Sequence, residues 1–150
     1  MVQLHSISHQ AQVLDTMIGL TRLSLLQRAI IAGNGGMELY RGLRRRGFMR
    51  VATIPSSWTP RRQHVIGLLA DRNSAAIEKA LSEVDPFLAA NATVAVLIDS
   101  DDNAAPGNPG PGVRTKLQQM GFQVEAGVRC HQGFVLSACR QGFSQIERAA

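Results

Sequence analysis

Aromatic side chains are scarce in this chain of 150 residues: one Trp, one Tyr and five Phe, 5% in all. That scarcity excludes a core built on stacked rings and weighs against an exposed base-stacking platform. Val, Ile, Leu and Ala must fill the interior, within an apolar share of 45%. Two cysteines are too few for a disulfide-stapled scaffold. No uninterrupted apolar run approaches the length of a membrane span. The opening residues, Met1-Val2-Gln3-Leu4-His5-Ser6, lack the charged start and long apolar stretch of a secretory signal. A cytoplasmic protein with no membrane partner is expected.

Acids are also in the minority, 11 against 16 Lys and Arg, for a net charge of +5. Such a balance favours acidic partners without naming one. The positive charge is bunched: Arg41, Arg44, Arg45, Arg46 and Arg50 lie close together, and Arg61-Arg62 follow. One reading is a solvated helix end whose cations complement the negative end of the helix dipole. The other is a surface for an acidic partner or nucleic acid, which the absence of interleaved aromatics weakens.

What is present is α/β patterning in one domain, 10–150, after a loose lead-in at 1–9. Val13, Leu14, Met17, Ile18, Leu20, Leu23 and Leu26 recur at helical spacing, predicting a helix over 10–27. Its apolar stripe is wide enough to predict a homodimer contact through Leu14, Met17, Ile18 and Leu20. The core follows at 28–141. Its opening is the most telling stretch: Arg28-Ala29-Ile30-Ile31-Ala32 runs into Gly33-Asn34-Gly35-Gly36 and then into Met37-Glu38-Leu39-Tyr40. A short apolar run, a glycine turn and a helical pattern predict the β-turn-α opening of a nucleotide-binding type of sheet. Ligands in such sheets sit outside the carboxyl ends of the strands, where this turn lies.

Further strands are predicted at 51–54, 64–70 and 93–98, the last a continuous apolar run suited to a sheet covered on both faces. Helices are predicted at 36–46, from Ser74 as cap to Val84, and at 112–120. The Pro- and Gly-rich stretch 103–112 is a loop. A hairpin of 122–130 with 134–141 closes the core. If Cys130 pairs with Phe134, Cys139 falls opposite Glu125, and the two sulfurs stand roughly 16 Å apart at the usual strand rise. No disulfide is expected. The predicted architecture is three-layer and Rossmann-like, a mostly parallel sheet in the order 2-1-3-4-6-5 with an antiparallel C-terminal hairpin.

In this arrangement the chain resembles the class I S-adenosylmethionine-dependent methyltransferases over about 28–141. The glycine turn after the first strand is similar to the family's, and Phe122-Gln123-Val124-Glu125 followed by Gly133-Phe134-Val135-Leu136 resembles its final hairpin. Val84-Asp85-Pro86 before Ala92-Thr93-Val94 resembles the helix and strand that precede it. The resemblance implies S-adenosylmethionine as cofactor, held by Gly33, Asn34, Gly35, Gly36, Ser56, Trp58 and Asp71 at the strand ends. Three departures stand out. Ile31-Ala32 occupies the place of the family's acid before the glycines. Pro55-Ser56-Ser57 follows the second strand, where the family carries an acid for the ribose hydroxyls. Residues 55–63 are too few for the family's third strand and its helix. Trp58 could stack on adenine or simply cover the sheet edge.

Other chemistry is thinly represented. Asp99, Asp101 and Asp102 cluster without a distant Glu or His, which fits turn hydrogen bonding better than a metal site. His131 and Cys130 are chain neighbours that point to opposite faces if extended, so they do not form a nucleophile pair. No catalytic residue is identified and no metal is expected. The favoured function is a degenerate methyltransferase-like domain, an interaction or regulatory module with weak or no cofactor binding. The alternatives are a small active methyltransferase and a nucleic-acid module built on the arginines from Arg41 to Arg50.

Overall fold

The computed structural model describes residues 2–54, 60–99, 111–130 and 133–140. Helix α1 is Val2–Thr21, followed by β1 (Ala29–Ala32), α2 (Gly36–Arg45), β2 (Val51–Thr53) and β3 (His64–Asp71). Helix α3 (Ser74–Val84) and a 3-10 turn (Asp85–Phe87) lead to β4 (Leu88–Asp99), α4 (Pro111–Gln119), β5 (Phe122–Arg129) and β6 (Gly133–Arg140). The six strands lie in the order β2-β1-β3-β4-β6-β5. β1 to β4 run parallel, and β6 inserts antiparallel to both β4 and β5. This is the predicted sheet, with the 93–98 run at its centre.

The layers follow from the two-residue period of the strands. Ile30, Val94, Val96 and Leu136 face α3 and α4 through Ile77, Leu81, Val113 and Leu117. Ile31, Leu68, Ala95 and Val135 face α1 and α2 through Val13, Met17, Leu39 and Leu43. Both faces are therefore covered, as a parallel sheet requires.

Several boundaries differ from the sequence expectation. Helix α1 already runs from Val2, where a loose lead-in over 1–9 was expected. It stops at Thr21, short of residue 27, because Arg22 turns to φ 56° and Leu23 N–H reaches back to Ile18 O at 3.2 Å. Its apolar stripe is turned inward: Leu14 and Met17 are buried, and Ile18 and Leu20 pack against the same core.

The cap of α3 is Asn73, whose Oδ1 accepts from Ala76 N–H at 2.8 Å, rather than Ser74. β4 begins five residues earlier than expected, at Leu88, because its register against β3 shifts between His64 and Ile66. Arg140 holds that irregular segment, donating to Leu88 O, Ala89 O and Asp85 while stacking over the Phe122 ring at 4.7 Å. The hairpin register is also corrected. The turn places Phe134 opposite Arg129 rather than Cys130, and a bulge between Val124 and Ala126 then places Cys139 opposite Gln123 rather than Glu125. Both cysteines are free, as expected.

Candidate functional site at the carboxyl end of the sheet

The parallel strands deliver the glycine turn and the end of β3 to the same edge. β1 ends at Ala32, paired with Leu69, so Gly33 enters the turn beside Ala70 and Asp71. Gly33 has φ 95°, and a Cβ there would stand 2.1 Å from Ala70 O. Only glycine fits that place.

The turn is closed by its own bonds. Asn34 N–H donates to Asp71 Oδ2 at 3.2 Å, and Gly35 N–H donates to Ala70 O at 3.0 Å. Gly36 N–H donates to Gly33 O at 3.0 Å. Three successive amides that an anionic ligand group would need at a helix start are thus committed within the chain. The other Asp71 oxygen, Oδ1, accepts from Arg72 N–H at 2.7 Å. Asp71 therefore works as a clasp for the turn. It keeps spare lone pairs, since a carboxylate can accept about four hydrogen bonds.

Of the residues expected at the site, Gly33, Asn34, Gly35, Gly36 and Asp71 come together. Ser56 and Trp58 lie outside the described residues, as do Asp101, Asp102 and His131. Ile31 and Ala32, which stand where an acid was expected, are buried in the sheet. Among the described residues no group of three or more His, Cys, Asp or Glu could hold a metal.

Behind the turn a cavity of about 250 Å³ opens between α1, α2 and the ends of β3 and β4. Leu14, Leu39, Ala70 and Leu97 make its wall apolar, with Gly35, Glu38 and Arg45 also lining it. Ordinary ligand pockets run from about 300 to 1,000 Å³, so this one is small. Sequence reading missed Glu38 and Leu97 as lining residues. One signal pointed to the helix packing that shapes the cavity: Gly42 inside a helical pattern marks a close approach. A Cβ there would meet Leu14 Cδ2 at 2.6 Å.

The remaining candidates take structural roles. His64 lies at the opposite end of the sheet, buried, with Nδ1 bonded to Phe87 O at 3.2 Å. Burial lowers its pKa, the bond to Phe87 opposes this, and the charge of Arg28 lowers it further. The Cys139 thiol donates to Glu125 Oε1 at 2.7 Å; that bond, burial and the carboxylate charge push its pKa up to about 11. The carboxylate beside the sulfur disfavours the thiolate. Arg46 forms an ion pair with Asp15, and Arg44 lies over the Tyr40 ring at 5.8 Å while donating to Met49 O. These two arginines are engaged locally. No described helix is long and apolar enough to cross a membrane.

The sequence matches no family profile and no curated protein. Solved structures do match. An S-adenosylmethionine-dependent methyltransferase from Aquifex aeolicus aligns over 88% of this chain and 98% of its own, at 12% identity and a TM-score of 0.51. Magnesium protoporphyrin IX methyltransferase (ChlM) from Synechocystis, solved with bound S-adenosylhomocysteine, aligns over 90% of this chain and 84% of its own, at 10% identity and 0.55. The [4+2]-cyclase SpnF aligns over 87% and 80%, at 10% identity and 0.56. A cyclase among the neighbours means that the fold does not dictate the reaction. At these identities the likeness concerns the fold, and together with the strand order and the glycine turn it identifies the chain as a methyltransferase-like Rossmann fold, the fold of the class I S-adenosylmethionine-dependent methyltransferases.

Proposed function

We propose that this chain is a degenerate methyltransferase-like domain, with weak or no S-adenosylmethionine binding, that serves in the cytoplasm as an interaction or regulatory module. The observation that carries this reading is the closure of the glycine turn on Ala70 O and Asp71. A cofactor would have to displace those bonds before using the same amides. The buried Ile31-Ala32 pair, where a carboxylate would help hold the ligand, points the same way. Loss of a charged ribose contact is worth roughly 1.5–3 kcal/mol, or about ten- to a hundredfold in affinity.

Calorimetric titration with S-adenosylmethionine and S-adenosylhomocysteine tests this, with Trp58 fluorescence followed in parallel. Binding in the micromolar range or weaker, and protein purified without cofactor, are expected. Nanomolar binding would sink the reading. A small active methyltransferase is the second reading, and Asp71 favours it: its carboxylate stands at the strand-end edge with acceptor capacity left for a ligand's ammonium or hydroxyl groups. Under that reading Asp71→Asn weakens cofactor binding by about tenfold or more.

A further inference from the structure

The end of the sheet opposite the glycine turn has a different surface. There Ala29, the first residue of β1, pairs with Val51, the first of β2, and with Ile66, two residues into β3. The segments that lead into them therefore lie side by side: 22–28, 46–50 and 60–63. Bonds join them directly. Arg50 donates to Leu26 O at 3.2 Å, Ala29 N–H to Arg50 O at 2.9 Å, and Arg28 to the Gln63 side chain.

Three large apolar side chains stand in solvent on the first two of these segments: Leu25 at 55% exposure, Leu26 at 79% and Met49 at 59%. Arg22, Arg28, Arg50, Arg61 and Arg62 surround them in sequence and along the strand starts, and the three segments contain no Asp or Glu. Two of those arginines are held against backbone preference. Among the described residues, the non-glycine positions at positive φ are Arg22 at 56° and Arg62 at 58°. Glycine would adopt either conformation at lower cost, so both positions keep an arginine against a local backbone preference.

We infer that this end of the sheet is a docking surface for an acidic polypeptide segment that carries apolar anchors. The anchors cover Leu25, Leu26 and Met49, and the carboxylates meet the arginine rim. Charge selects the occupant. A second copy of this chain docked through the same patch would bring arginines against arginines. Nucleic acid would satisfy the rim yet leave the exposed leucines and methionine without apolar partners. The inference deepens the interaction-module reading by giving the module a partner. It is measured at the end of the sheet remote from the glycine turn, so tight cofactor binding could defeat that reading while leaving this surface standing, and the reverse.

The probe is a fluorescein-labelled synthetic helix of Glu residues with Leu at i, i+3, i+4 and i+7 spacing, titrated with the full chain by anisotropy. A matched peptide with Ser in place of Leu, a duplex oligonucleotide and anionic phosphatidylserine vesicles are the comparisons. The Glu/Leu peptide is expected to bind at least about tenfold more tightly than the Glu/Ser peptide, and more tightly than duplex or vesicles. Leu26→Ser with Met49→Ser, both at exposed positions, is expected to abolish that tenfold preference with the circular dichroism spectrum unchanged. Arg22→Gly with Arg62→Asn is expected to weaken binding and flatten its salt dependence. The inference is overturned by equal binding of the two peptides or by no binding at millimolar peptide. It is equally overturned by unchanged binding in the Leu26/Met49 variant or by tighter binding to duplex or vesicles.

Discussion

The two ends of the sheet use their polar groups in opposite ways. At the carboxyl end the glycine turn is satisfied from within: Asn34, Gly35 and Gly36 donate to Asp71, Ala70 and Gly33. At the amino end the segments 22–28, 46–50 and 60–63 carry arginines and no acid, and Leu25, Leu26 and Met49 are left in solvent. In Rossmann-like sheets the carboxyl end is where ligands bind. Here the amides of the turn at that end are bonded within the chain, and the exposed apolar side chains beside arginines lie at the other.

The sharpest way to break this contrast is to reopen the turn. Gly33→Ala puts a methyl into Ala70 O and a side chain at φ 95°. It is expected to lower stability by about 3 kcal/mol or more, which is about 10 °C in Tm for a domain of this size. Thermal denaturation checks it, and a loss under about 1 kcal/mol would mean that the turn is not locked. Asp71→Ala removes the clasp on Asn34 and Arg72 and is expected to lose about 1–2 kcal/mol by chemical denaturation. A neutral result would free Asp71 for the cofactor role.

Substitution at the other end is expected to go the opposite way. Arg22→Gly relieves a left-handed conformation at the end of α1. The same assay is expected to show a gain of about 0.5–1 kcal/mol. The effect of pH is smaller and local to His64. Its folded pKa lies below the ordinary 6.5. Above that value both states hold a neutral imidazole. Below it the unfolded chain takes up a proton that the folded chain resists, so stability falls as pH drops from about 7 toward 5. His64→Gln is expected to flatten that slope in denaturation curves.

Much of this layout was legible in the residues. The apolar run at 93–98 has no polar face to give to solvent, so it had to be central, and the helices after the first and third strands fixed the direction of the strands they join. Gly33-Asn34-Gly35-Gly36 marked the turn. Local bonding between distant segments was not legible. No pattern in the sequence announces that Ala70 O crosses over Gly33, or that Asp71 reaches Asn34 from 37 positions away. The bulge at Glu125 escaped notice for the same reason. A one-residue insertion preserves alternation on either side and only shifts the register. The stripe on α1 was visible, but whether it met a partner or its own sheet depended on α2 packing beside it through Gly42 and Leu14. Ser56 and Trp58, expected at the cofactor edge, lie outside the described residues.

Hydrogen exchange at the amides of Asn34, Gly35 and Gly36 tests the closed turn most directly. Read by NMR without ligand, the three should exchange slowly, at rates close to those of neighbouring β1 amides, because each is bonded within the chain. Adding S-adenosylmethionine to millimolar concentration should leave that protection unchanged. Fast exchange in the free protein that becomes slow when S-adenosylmethionine is added would contradict the account, since it would show amides held open for the cofactor.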